Sequence, residues 1–311
     1  MAMMKAVTVK NYGGPEVIAV GEMPRPTPGA GEILVKVVAA SVNPVDYKTR
    51  EGYLKDFVKY PLPFVPGWDL SGVVEALGPG VAGFARGDAV FGMTHFKAGA
   101  FAEYAVLPAD AAVKKPANLD HRQAAAVPLA SLTAWQTLFR GGNLKSNQTV
   151  LINGAAGAVG AFAVQFARQV HAFVVGAARA HDLDFVRSLG ADQAIDLSAE
   201  PPPRPERPVD LVFDTVSGDI QNRSAALLSP GGLLITIAGP TPETSANKTI
   251  RSAYHGVELS GHELQHIAKM IAEGALKQRI GPVFPMSAAR QAFEAVEKGG
   301  TNGKVILDIA P

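Results

Sequence analysis

The chain has 311 residues, 47% of them hydrophobic and 18% charged, with a mean hydropathy of +0.12. That is enough apolar material for two domain cores and too little charge for a disordered chain. Lys and Arg number 29 against 28 Asp and Glu, so no net field draws nucleic acid or an acidic membrane, and a small molecule is left as the expected partner.

Cysteine is absent, which removes disulfides, thiol catalysis and every cysteine-ligated metal site. The stretch Met1–Gly13 has neither a long apolar run nor an Arg-rich amphipathic pattern, and no later run has the length of a membrane span. The expectation is a soluble, cytoplasmic protein.

Up to about residue 120 the chain reads as short strands at Met4–Val9, Glu32–Ala40, Leu70–Leu77 and Ala89–Phe91. Between them lie Gly13-Gly14-Pro15, the Pro-rich Pro24–Gly31 and Gly78-Pro79-Gly80, the punctuation of a β barrel or sandwich with long loops. Arg122–Leu138 then carries an Ala/Leu-rich helical pattern. Strand and helix alternate after it: strands at Thr149–Asn153, Phe173–Val175, Ala194–Ile195, Leu211–Phe213 and Leu233–Ala238, helices at Val159–Val170, Asp182–Leu189 and Ile220–Leu228. Short connections in such alternation imply a parallel sheet covered by helices on both faces. Pro201–Pro208, with five prolines, reads as a rigid surface loop.

Helices at His262–Glu273 and Ala288–Lys298 and a last strand at Lys304–Ile309 break that rhythm. The chain is therefore expected to return to its first domain, so that the α/β domain is an insertion. The expected boundaries are 1–122 and 265–311 for the β-rich domain and 123–264 for the inserted one.

The strongest local signal is Val150–Gly160, a short apolar strand running into Gly154-x-x-Gly157-x-x-Gly160 and then an Ala/Val/Phe helix. A glycine turn lets the backbone approach a pyrophosphate, whose charge sits on the exposed amides of the helix N-terminus. The last glycine lets helix and sheet pack closely. A plain strand–helix turn is the alternative. The end of the following strand reads Val175-Gly-Ala-Ala-Arg-Ala-His181, with no acid to take an adenosine 2′-hydroxyl. Arg179 suits a 2′-phosphate, through paired charge-assisted hydrogen bonds, so NADPH is favoured over NADH. A solvated loop arginine is the bland alternative.

With these residues in view, the chain resembles the zinc-independent quinone oxidoreductases and enone reductases (the ζ-crystallin-like branch) of the medium-chain dehydrogenase/reductase superfamily. The matching segments run along the whole chain: Ser41–Lys48, Val65–Gly72, Val81–Asp88, Gly99–Tyr104, Pro128–Ala134, Leu189–Asp192 and Asn302–Val305. The resemblance implies a Rossmann doubly wound sheet inserted into a GroES-like β-rich catalytic domain, with the active site between them. It implies that Asn43 and Lys48 face the nicotinamide half of the cofactor, with Thr133 nearby. Gly154, Gly157, Ala158, Val159 and Gly160 would hold the pyrophosphate. Ala178, Arg179 and His181 would surround the adenosine 2′ position, and Ile237 and Ala238 the nicotinamide ribose. Leu197 stands where such reductases often carry Tyr, and Ala178 and Ala180 where they carry Ser or Thr.

Without cysteine the zinc ligands of related alcohol dehydrogenases are missing, and alcohol oxidation needs that Lewis acid. The expected reaction is hydride transfer from NADPH to a quinone or to the β-carbon of an enone or enal, in a dry cleft. Negative charge on the substrate oxygen then needs a donor. Lys48 and Tyr53 are the candidates, with Asn43 beside them, although Tyr53 also reads as a loop aromatic packed on Pro61 or Phe64. The alternatives are a reductase dedicated to one natural product and a nucleotide-bound protein without turnover, crystallin-like or a sensor. A homodimer through the edge of the Rossmann sheet is implied by the resemblance.

His262-Glu-Leu-Gln-His266 matches H-E-x-x-H, but no third ligand lies nearby and a solvated helix face is the favoured reading. Asn147, Asn222 and Asn247 open glycosylation-type triplets by pattern only. His95 and His255 fall in loops and are left outside the site.

Overall fold

The computed structural model describes residues 2–310 except 57, 59, 96, 97, 202 and 242–249. The triplet at Asn247 lies outside the described residues. Two compact units divide the chain: Met1–Leu129 with Leu259–Pro311, and Ala130–Glu258.

In the first unit the strands are β1 (Met3–Val9), β2 (Ile18–Pro24), β3 (Glu32–Ser41), β4 (Asp69–Leu77), β5 (Ala89–Met93), β6 (Tyr104–Pro108) and β7 (Ala112–Lys114). Helix α1 (Pro44–Arg50) follows β3, and α2 (His121–Ala125) follows β7. After α2 the chain enters α3 (Pro128–Gln136), and the second unit follows. That unit contains β8 (Thr149–Asn153), α4 (Ala158–Gln169), β9 (Phe173–Ala177), α5 (Leu183–Ser188), β10 (Gln193–Ile195), β11 (Val209–Asp214), α6 (Gly218–Ala225), β12 (Leu228–Thr236) and β13 (Arg251–Tyr254). The return to the first unit brings α7 (Gly261–Ala272), β14 (Ile280–Pro285), α8 (Ala289–Lys298) and β15 (Lys304–Asp308).

The first unit is organised by β3, which pairs antiparallel with β4 along its length, with β6 over Glu32–Lys36 and with β15 over Ala39–Ser41. Its inward residues Ile33, Val35 and Val37 are buried with Leu70, Val74, Val90, Phe101 and Leu107 in one core. That alternation is the sequence signature of a strand with a buried face. Helix α8 closes the same core with Phe293, whose ring meets Phe101 edge-on at 5.9 Å. The C-terminal segment therefore completes the sheet and core that the N-terminal segment begins.

The second unit is a parallel sheet in the order β10-β9-β8-β11-β12-β13. The chain starts in the middle at β8, winds outward through β9 and β10, then resumes on the other side of β8 with β11. This is the doubly wound Rossmann order, and the crevice for a ligand opens at the carboxyl ends where the winding reverses. At that point the carboxylate of buried Asp214, the last residue of β11, gathers its neighbours. It accepts from Asn153 Nδ2 at 3.0 Å, Gln221 Nε2 at 2.9 Å, Thr236 Oγ1 at 2.8 Å and the Ser217 amide at 3.1 Å. The ends of β8, β11 and β12 and the start of α6 are thus tied to one carboxylate.

The strands and helices expected from periodicity are present with ends moved by a few residues, except one. The single helix expected over Arg122–Leu138 is two, α2 and α3, because Pro128 has no amide to continue a helix and disfavours helical geometry at Val127. Asp120 caps α2 reciprocally with Gln123. Unforeseen elements are β2, β6, β7, β13, β14 and α1.

Asp214→Ala would leave four buried or half-buried donors without their acceptor. It is expected to lower stability by about 3 kcal/mol or more, seen as a fall in the midpoint of urea unfolding.

Candidate functional site

In the second unit the candidate site is the turn from β8 into α4. Gly154 has φ of +69°, and a side chain there would meet Thr215 Oγ1 at 2.4 Å. A side chain on Gly160 would lie 2.2 Å from the carbonyl oxygen of Gly154. Both positions therefore demand glycine, one for its backbone conformation and one for close approach. Gly157 differs: it caps α4 with ordinary extended geometry, and an added Cβ would touch only the Gly154 oxygen, at 3.2 Å.

No side chain caps α4, and the amides of Ala158, Val159 and Gly160 have no acceptor among the described residues. A helix start left this way is a ready site for an anion, and the space over Gly157 leaves room for one. The residues present fit a dinucleotide pyrophosphate.

At the end of β9, the Ala178 amide is bonded to Ile195 O at 3.0 Å. Arg179 and His181 are both exposed, on the turn that leads into α5. The Arg179 guanidinium has no ion pair among the described residues, whereas His181 Nε2 lies 3.3 Å from Asp182. Leu197 is buried in the apolar cluster beside β10. Ile237 and Ala238, half-buried, follow β12, the first through its amide on Asp214 O at 3.1 Å and the second on Thr236 Oγ1 at 3.2 Å. Thr133 is buried in α3.

In the first unit Asn43, Lys48 and Tyr53 all belong to α1 or its flanks, but they are not alike. Asn43 is the N-cap of α1 and is 1% exposed. Its Nδ2 donates to Asp69 Oδ2 at 2.9 Å, and its Oδ1 accepts from the ammonium of Lys304. Lys48 is half-buried in the last turn of α1. Tyr53 is 69% exposed, its amide bonded to Lys48 O at 3.0 Å. The aromatic that packs on Phe64 is Tyr60, with ring centroids 4.9 Å apart.

Asp69, Lys304 and Asp46 were not foreseen as site residues, although all three sit inside recognised segments. The available signal was a charged residue immediately before a mostly apolar run, Leu70–Val74 in β4 and Val305–Leu307 in β15. Asp69 and Lys304 are both buried; burial pushes the Asp69 carboxyl up and the Lys304 ammonium down.

On α7, His262 and His266 lie on the exposed face while Glu263 is buried. Among the described residues no group of three or more His, Cys, Asp or Glu side chains is placed to hold a metal ion. Nor is any helix among them long and apolar enough to cross a membrane.

Comparison with known proteins agrees with this architecture. Residues 29–117 match the family described as alcohol dehydrogenase GroES-like domain, and residues 189–307 the family described as zinc-binding dehydrogenase. A quinone oxidoreductase from Sus scrofa is 33% identical over 98% of this chain and 98% of its own length. A chloroplastic NADPH-dependent alkenal/one oxidoreductase from Arabidopsis thaliana is 32% identical over 98% of this chain and 79% of its own. The solved structure of the quinone oxidoreductase from Coxiella burnetii superposes with a TM-score of 0.89 at 32% identity, covering 99% of this chain and all of the other.

Gly160→Ala is expected to destabilise the fold by about 1–3 kcal/mol through overpacking, and Gly157→Ala by less than about 1 kcal/mol. Denaturant unfolding of the two variants measures the difference, and equal losses would contradict the assignment of roles to these glycines.

Proposed function

This chain belongs to the quinone oxidoreductase branch of the medium-chain dehydrogenase/reductase superfamily, and from that premise we propose that it is an NADPH-dependent reductase of quinones or of α,β-unsaturated ketones and aldehydes, working without zinc. The observation that carries the reading is the uncapped start of α4 behind a glycine turn, at the carboxyl end of the central strand of a doubly wound sheet. Relatives named as quinone and as NADPH-dependent alkenal/one oxidoreductases support the reaction class. The lack of cysteine in the chain supports the proposal that no zinc takes part.

In this reading Gly154, Gly157 and Gly160 shape the turn, and the amides of Ala158, Val159 and Gly160 hold the pyrophosphate. The exposed Arg179 guanidinium takes the 2′-phosphate, with Ala178 and His181 alongside; Ile237 and Ala238 flank the nicotinamide ribose, and Thr133 the ring. NADPH, when bound, supplies the hydride. The protein's part in the chemistry is to orient the acceptor and to meet the negative charge that grows on its oxygen. Lys48 and Tyr53 are the donors proposed for that oxygen. Asn43 contributes by holding the start of α1, since its side-chain amide is already engaged by Lys304 and Asp69. We also propose a homodimer formed along the outer edge of β13.

The test is NADPH oxidation by purified protein with 1,4-benzoquinone and with a simple enone, in the presence of a chelator. Turnover that survives chelation is the expected result. Cofactor binding with no turnover on either acceptor would overturn the enzymatic reading and leave a nucleotide-bound binding protein. Lys48→Ala is expected to lower kcat by about tenfold or more, and Tyr53→Phe to lower it less. If neither variant changed kcat, the donor assignment would fail. Arg179→Ala is expected to raise the KM for NADPH by about tenfold while leaving that for NADH unchanged.

A further inference from the structure

Asn43, Asp46, Asp69 and Lys304 form a buried cluster that the proposed chemistry leaves unexplained. Two carboxylates share one ammonium, with no solvent to absorb the imbalance. Asp69 is fully satisfied. Its Oδ2 accepts from Ser41 Oγ at 2.8 Å and Asn43 Nδ2 at 2.9 Å and lies 3.9 Å from Lys304 Nζ; its Oδ1 accepts the Leu129 amide at 2.8 Å. Asp46 is not. Its Oδ2 accepts the Asn43 amide at 2.7 Å, while its Oδ1 is buried with no hydrogen-bond partner. An ionised carboxylate held in a dry interior needs donors on both oxygens, whereas a protonated one tolerates a bare oxygen. The geometry thus fits Asp69 and Lys304 as the charged pair and Asp46 as the neutral acid.

The cluster acts on a short lever. Lys304, reaching in from β15, holds the Asn43 side chain, and Asn43 with Asp46 forms the capping box that starts α1. Lys48 stands one turn further along α1, and the Lys48 carbonyl anchors the Tyr53 amide. We propose that Asp46 and Lys304 are positioning residues for the reaction: they hold the start of α1, and through it Lys48, in a geometry set by a single proton kept in this buried cluster.

Burial is the main cause that pushes the Asp46 carboxyl up, to about 7. The Asn43 amide opposes it, Asp69 on β4 adds to it, and Lys304 on β15 opposes it, as does the nearby Gly67 amide, which makes no hydrogen bond of normal geometry with the carboxyl. Among the described residues the Tyr60 hydroxyl is the other titratable group facing Asp46. In the unfolded chain Asp46 loses its proton near 3.8, and in the fold only near 7. Between those values the folded state binds the extra proton, so stability falls as pH rises and levels off above the folded value.

The inference rests on the proposed reduction only for its kinetic readout. The experiment compares wild type, Asp46→Asn and Lys304→Met by thermal unfolding and by kcat with 1,4-benzoquinone across a pH series. Asn is isosteric with the protonated acid, so Asp46→Asn is expected to fold. Its Tm advantage over wild type is expected to grow between about pH 4 and 7 and then stay constant. The wild-type kcat is expected to fall as pH rises through about 7, and that limb should be absent from Asp46→Asn. Lys304→Met, lacking the cation that faces Asp46, should move the limb upward by about one pH unit or more. A kcat limb retained in Asp46→Asn would overturn the positioning role, and the same pH dependence of unfolding in wild type and Asp46→Asn would overturn the cluster itself. If the wild type reduces no acceptor, the function proposed above fails while the unfolding series still decides the cluster.

Discussion

Asp69 is satisfied from three separate stretches of chain, at 41–43, 129 and 304. Ser41 reaches it from the end of β3, Asn43 from the cap of α1, Lys304 from β15 and the Leu129 amide from the first turn of α3. A buried carboxylate with a missing partner costs several kcal/mol, so these segments must arrive together or not at all. That requirement explains why the first unit is discontinuous in sequence. β3 needs β15 at its carboxyl end, and β15 brings the lysine that balances the acid inside.

The second unit repeats the device with another acid. Asp214 ties the carboxyl ends of β8, β11 and β12 to α6. Its bonds to the Ser217 amide hold that residue at φ of +71°, a left-handed conformation that serine rarely adopts. The strand ends are thereby stiff where the glycine turn lies, and a stiff frame suits the proposal that three amides at the start of α4 hold one anion. Each unit thus positions its candidate site by a buried carboxylate whose donors come from separate elements.

Much of this was legible in the sequence, and the limits have physical causes. The strand–turn–helix at Thr149–Gln169 was readable because every ingredient is local: an apolar run, glycines at fixed spacing, then a helical repeat. β13 and β14 escaped notice because they lie at the sheet edges, carry few fully buried residues and lack clean alternation, β14 also holding Gly281 and Pro282. The helix expected through Pro128 fell to one missing amide. The capping of α1 was local and could have been seen in Asn43-Pro-Val-Asp46. The cluster beneath it could not: Asn43 meets Asp69 across 26 residues and Lys304 across 261, and no spacing rule reaches that far. So Asn43 was recognised by resemblance as a site residue, while the structure shows an amide already held on both sides.

The proposed function depends on the start of α4 being a dinucleotide site. The most direct test is a nicotinamide-fluorescence titration of the purified, metal-free protein with NADPH and, separately, with NADH. Saturable binding of one nucleotide per chain is the predicted result, NADPH being bound about tenfold more tightly than NADH because of Arg179. A protein that binds neither nucleotide would contradict the reading of Gly154–Gly160 and the function built on it.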